Sequence, residues 1–192
     1  LIGVAISAFI GLVVGILNGG IPLIRAKLSP LVTVASLIPP MAILPILFIA
    51  FGTGEAAKIA LIVIGVTPFL IRDLQGHALR LPDEQLIKAQ TLGASSWQVL
   101  LRVLLPQLTP RLLNATRLAL GSAWLFLIAA EAIAAQEGLG YRIFLVRRYL
   151  SMDVILPYVA WITLLAFLLD QILAWTSRLA FPWYHSGEGD KS

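Results

Sequence analysis

The chain has 192 residues, of which 59% are hydrophobic and 12% charged, with a formal net charge of +4 and no cysteine. Soluble domains are about 45–50% apolar and about 25% charged, so this composition excludes an ordinary soluble domain and marks an integral, all-α membrane protein. The missing cysteines exclude disulfides and thiolate metal sites. The basic balance needs no nucleic-acid partner, because Lys and Arg gathered in short cytosolic loops give the same excess.

A helix needs about 20 apolar residues to cross the hydrocarbon core. Five spans are expected, at residues 1–17, 31–51, 56–71, 112–135 and 154–177, in one transmembrane domain covering residues 1–192. The first opens at Leu1 inside an apolar run with no Met and no charged flank. This predicts an N-terminally incomplete chain with another span ahead of it. No small-residue cleavage site follows, so a signal peptide is not expected. Within this span Gly11 and Gly15 lie four apart, a spacing that permits close helix contact. Residues 18–30 carry Arg25 and Lys27 and no acid, and residues 72–111 carry Arg72, Arg80, Lys88, Arg102 and Arg111. Both are expected in the cytosol. Alternation then places 52–55 and 136–153 outside and the tail from Arg178 inside. Arg142, Arg147 and Arg148 in the outer segment run against that assignment, and would suit a partner surface or lipid phosphate.

The second span holds Pro39, Pro40 and Pro45. Proline removes a backbone donor and kinks a helix, and the freed carbonyls need partners in protein or a watery cavity. A kinked packing helix and a helix bent around a translocation path are both compatible with this. The third span is short unless Glu55 and Lys58 snorkel to the interface. Charged residues within spans usually face a bundle interior or cavity. Arg117 is expected near the cytosolic interface. Glu131 ends the run from Trp124 near the outer surface, where headgroup-level or paired carboxylate, substrate contact and gating are the competing roles. Asp170 lies deeper, where an interhelical hydrogen bond is expected. Pro39, Pro40, Pro45, Trp124, Glu131 and Asp170 are the pathway candidates.

The polar island at 72–111 separates two apolar runs. Pro82 suits a first helical turn, and Asp83 and Glu84 favour the positive end of the helix dipole. Leu86, Ala89 and Leu92 form one stripe, and Gly93 punctuates it. Ser95 or Ser96 can cap a second helix, on which Trp97, Leu100, Leu101 and Leu104 recur at helical spacing. Pro106 and Pro110 are expected to bracket a turn into the next span. The unit is two short amphipathic helices joined at a glycine under the membrane. Such a pair can rest on lipid or dock in a groove of a soluble partner, and periodicity does not choose between these.

The stretch Ile87-Lys88-Ala89-Gln90-Thr91-Leu92-Gly93, followed by Leu105-Pro106, resembles the cytoplasmic loop of inner-membrane permeases of ABC importers. There an EAA-type stretch precedes a Gly and a later Ile/Leu-Pro. In this chain the usual acidic position, counted back from Gly93, holds Ile87, and Lys88 follows. Ile38-Pro-Pro-Met-Ala-Ile-Leu-Pro45, Arg117-Leu-Ala-Leu-Gly-Ser-Ala-Trp124 running on to Glu131, Gly138-Leu-Gly140 and Pro182-Trp183 are similar to the nitrate/sulfonate/taurine/bicarbonate branch of that family.

The resemblance implies a type I importer permease in a bacterial inner membrane. Two copies, expected to be identical, would form the pathway within membrane lipid. A periplasmic or lipid-anchored binding protein would deliver cargo. Separate ABC ATPase subunits would bind ATP and Mg and engage the loop through Leu86, Ile87, Lys88, Ala89, Gln90, Leu92, Gly93, Ala94, Ser95 and Trp97. Independently, the chain has no Gly-x-x-x-x-Gly-Lys-Ser/Thr phosphate loop, so no cofactor and no enzymatic activity of its own are expected. An ion-coupled carrier or channel would need titratable groups clustered at mid-membrane and an inverted repeat. Neither is evident. A membrane enzyme has little support, since His77 and His185 are far apart. Cargo is left between small oxyanions or sulfonates and, from the similarity of residues 144–153 to permeases found near urea-carboxylase and guanidine-utilisation enzymes, a small nitrogen compound.

Overall fold

The computed structural model describes residues 1–134, 137–147 and 152–186, and these are helical with short connections and no strand. In order, α1 (Ile2–Gly20) is followed by α2 (Pro22–Leu37), a 3₁₀ turn (Pro40–Ile43), α3 (Leu44–Phe51) and α4 (Glu55–Ala78). Then come α5 (Asp83–Thr91), α6 (Ser96–Val99), a π turn (Leu100–Leu104), α7 (Leu105–Ala134), α8 (Leu139–Arg147), α9 (Met152–Ala180) and α10 (Pro182–Ser186).

The core is a seam between α1 and α4. Gly3, Ser7, Gly11, Gly15 and Asn18 are buried on one stripe of α1. A Cβ on Gly11 would lie 2.8 Å from the Leu70 Cβ, and one on Gly15 the same distance from that of Leu74. Gly3 faces Ile62 and Gly19 faces Ala78 in the same way, so the partner number rises with the glycine number and the helices run parallel. Small residues let two backbones approach closely where packing, rather than water exclusion, holds helices together. α7 lies antiparallel on α4: Asp73 meets Arg111 near one end, Gly65 meets Phe126 farther along, and Lys58 meets Glu131 at the other. Leu70, Leu74, Leu100, Leu104 and Leu108 fill this core.

Of the five expected spans, length and composition support three, or four with the bent pair counted as one. Three helical stretches are long and apolar enough to cross a membrane: Ile2–Gly20, Ser96–Ile133 and Met152–Ala180. A fourth exists if Pro22–Leu37 and Pro40–Phe51, bent by 78°, count as one broken span. α4 has 24 residues, but Glu55, Lys58, Arg72 and Asp73 confine its uncharged stretch to the middle. α4 packs along the length of both α1 and α7, in the middle of the bundle. The expected loop at 18–30 is likewise absent. After a break at Ile21, α2 starts at Pro22, whose lack of an N–H costs nothing in a first turn.

Pro106 and Pro110 do not bracket a turn either. Both lie within the continuous helical stretch from Ser96, and Pro110 is fully buried. The π turn stands directly ahead of Pro106, where the wider register suits a residue with no N–H to donate. The second expected loop helix is therefore the root of the α7 rod.

Candidate functional site

Two regions hold the residues singled out by sequence: the loop from Leu79 to Ser95, and the cavities on either side of α4 and α7.

In the loop, Pro82 stands at the N-terminus of α5, and Asp83 and Glu84 occupy its first turn, where they offset the helix dipole. The helix ends in a Schellman motif. Gly93 N–H donates to the Gln90 carbonyl at 2.9 Å and Ala94 N–H to the Ala89 carbonyl at 3.0 Å. The motif requires a left-handed residue, and Gly93 supplies it with φ +82°. Ser95 then opens α6 through a capping box: its Oγ accepts from Gln98 N–H at 3.3 Å, and its own N–H donates to Gln98 Oε1 at 2.8 Å. Of the two candidate caps, Ser95 is the one used.

This double closure sets a short apolar surface. Leu86 and Ala89 are half-buried, and Leu86 lines a small cavity of about 120 Å³ with Gly20, Ala78 and Leu100. Ile87, Lys88, Gln90, Ser95 and Trp97 are exposed, and Ala94 is half-buried. Leu92 is 88% exposed and Trp97 60% exposed. The expected stripes are thus split. Leu92 turns away from Leu86 and Ala89, while Leu100 and Leu104 enter the core and leave Trp97 and Leu101 outside. Large apolar residues this uncovered at a loop point to a contact surface.

The pathway candidates do not converge. Pro39 and Pro45 are exposed, whereas Pro40 lines a cavity of about 530 Å³ beside the bend, with Ser36, Gly65, Phe69, Arg72 and Phe126. Trp124 lines a separate apolar cavity of about 250 Å³ with Leu1, Val4, Leu165 and Leu169. Glu131 is buried and lies 3.6 Å from Lys58 Nζ, and it accepts the Gly140 N–H at 2.8 Å. Gly138, at φ +119°, has no room for a Cβ beside that carboxylate, so the turn into α8 is clasped onto α7. Asp170 accepts two hydrogen bonds from Arg117, both at 2.8 Å. The interhelical bond expected of Asp170 is present, and its donor is Arg117, which reaches across to α9 instead of towards the interface.

Sequence reasoning missed Arg72, Ser36 and Phe126 on the large cavity. Arg72 reads as the first residue of the polar loop, yet α4 continues to Ala78. The spacing Gly65, Pro68, Phe69, Arg72 follows one helical face and was a usable signal. Of the outer arginines, Arg142 and Arg147 are exposed on α8, with Arg147 over the Phe144 ring. Residues 148–151, Arg148 among them, and the His185 side chain lie outside the described residues. His77 is half-buried, with Nδ1 2.9 Å from the Asp73 carbonyl oxygen. No group of three potential metal ligands occurs among the described residues.

Residues 6–182 match the family model described as "Binding-protein-dependent transport system inner membrane component". The chain is 38% identical over 179 residues to the taurine transport system permease protein TauC of Escherichia coli (strain K12), covering 93% of this chain and 65% of that protein. It is 36% identical over 180 residues to the bicarbonate transport system permease protein CmpB of Synechococcus elongatus, covering 92% and 64%. Its length therefore spans just under two thirds of these relatives. Among solved structures, the MetNI methionine ABC transporter in inward-facing conformations matches with a TM-score of 0.75 and 25% identity, over 92% of this chain and 90% of that one.

Proposed function

The chain belongs to the binding-protein-dependent transport system inner membrane components, a multi-pass membrane family, and on that premise we propose that it is the permease subunit of an ATP-driven importer. The cargo is a small polar solute of the kind named for its relatives, such as taurine or bicarbonate. Two copies build the path, a periplasmic or lipid-anchored binding protein loads it, and separate ATPase subunits bind ATP and Mg.

The observation that carries this reading is the loop surface of Ile87, Leu92 and Trp97. It is apolar and uncovered, and its backbone is closed on both sides of Gly93 by capping hydrogen bonds. A rigid, uncovered apolar surface fits a groove on a soluble partner better than it fits solvent. Its position at the root of the rod running from Ser96 to Ile133 means that a push on the loop is a push on α7. The bent α2–α3 pair and α9 rock with α7 in alternating access.

Leu92→Asp combined with Trp97→Asp in the assembled transporter tests this. Permease yield and thermal stability are expected to stay within error, because neither side chain supports the core, while ATPase co-purification falls at least tenfold. Full retention of the ATPase would overturn the docking role. Uptake driven by an ion gradient in vesicles without ATP would overturn the ATP-driven reading.

A further inference from the structure

The cavity of about 530 Å³ beside the bend carries a charge that the loop does not use. It lies between α2, the bend at Pro40, α4 and α7, and most of its wall is apolar, from Ile38, Ile64, Pro68, Phe69 and Phe126. Two charged residues line it, Arg72 and Asp73. Both oxygens of Asp73 are taken by Arg111, through Nε at 2.9 Å and Nη2 at 2.7 Å, so this acid is neutralised from outside the cavity. Arg72 is different. Its Nη1 donates to Ser36 Oγ at 2.9 Å, and Ser36 in turn donates to the Thr33 carbonyl at 2.7 Å. No carboxylate pairs with it among the described residues. The guanidinium is thus tethered from α2 by one donor and keeps its others, in the fork that matches an oxyanion. Arg72 is itself exposed at this wall, so its charge is open to an incoming anion and acts at partly screened range. Two carboxylates of the spans are occupied: Glu131 by Lys58 and Gly140, and Asp170 by Arg117.

We propose that Arg72, tethered by Ser36, is an anion-holding station on the wall of this cavity, taking a small sulfonate or carboxylate as it passes. The proposal rests on reading the cavity as part of the import path. The apolar walls face the organic part of such a cargo, and the open N–H groups of Arg72 face its oxygens. One bond to a neutral hydroxyl holds the guanidinium without cancelling its charge, so the anion meets a positioned partner and can still leave.

Residues 1–192 hold no cysteine, so one introduced at Ala35, on the same wall, is the only thiol within them, and the same protein without it serves as the labelling background. In the assembled transporter its labelling would be compared between 2-sulfonatoethyl and 2-(trimethylammonio)ethyl methanethiosulfonate, each normalised to its rate with a free thiol. The sulfonate reagent is expected to win by about tenfold, the order that one nearby charge produces at partly screened range. Arg72→Gln should abolish the preference and Arg72→Lys should keep most of it. Inorganic sulfate should slow sulfonate labelling more than chloride at equal ionic strength, a measurement that needs no Arg72 variant. A ratio unchanged by Arg72→Gln, or no protection by sulfate, overturns the station. If either occurs while uptake still requires ATP, the station fails alone; if uptake runs on an ion gradient without ATP, it is the importer reading that fails.

Discussion

The α1–α4 seam and the loop around Gly93 both depend on glycine, for opposite reasons. In the seam there is no space. A Cβ on Gly15 would sit 2.8 Å from Leu74, and the backbone there is ordinary helix. At Gly93 there is nothing within 4 Å of a Cβ, but φ is +82°. The first glycine is required by a neighbour, the second by its own backbone. A seam substitution should therefore be rescued by changing the partner, and a loop substitution should not.

The largest effect should come from Gly15→Leu. It overpacks two backbones that cannot separate without breaking the core, a class of change costing about 1–3 kcal/mol for a few methylenes and more when backbone must move. Loss of monodisperse permease on size exclusion is the expected outcome. Gly19→Ala gives a milder test because it adds a single methyl, which would overlap the Cβ of Ala78. Pairing it with Ala78→Gly should recover most of the lost melting temperature. Simple additivity would show that the two residues do not share one space.

Next in size is Asp170→Ala, which strands Arg117 between two spans. The two side chains are 31% and 33% exposed, so the pair is not fully enclosed by the chain. A loss of about 1–3 kcal/mol, the usual cost of an unsatisfied partner, is expected in thermal unfolding in detergent. Arg117→Ala combined with Asp170→Ala should cost less than the two singles together.

Gly93→Val should cost about 1–2 kcal/mol locally, as left-handed backbone does for a residue with a Cβ, with no rescue from any neighbour. The melting of the core should hardly change, while ATP hydrolysis loses its coupling to uptake. Normal coupling in this variant would mean the turn geometry is dispensable. The smallest effect is Ser95→Ala, at about 1 kcal/mol for a lost cap, visible as faster amide exchange over residues 96–99 with unchanged global stability.

Much of the loop was legible in sequence because its signals are local. The two acids, Gly93 and Ser95 each act within a few residues, and each takes the role its chemistry predicts, while Pro82 stands one position earlier than expected, at the cap. Gly11 and Gly15 announced a close contact, though not that its partner was α4. The errors arose where a local signal met a tertiary override. Pro106 and Pro110 read as turn residues but sit in a helix, since the π turn and the packed core accommodate them. Arg72 read as loop because it follows an apolar run, yet α4 continues through it.

By itself, then, the sequence determined that this is a helical membrane protein with a capped polar loop, since hydropathy, capping and turn chemistry depend on neighbours along the chain. Only the tertiary structure decided which helix is buried, which charges are paired and which guanidinium is left facing a cavity. Those outcomes turn on residues 53 apart, as for Arg117 and Asp170, or 36 apart, as for Arg72 and Ser36. No periodicity reports such distances, because they are set by how helices pack rather than by how each one forms.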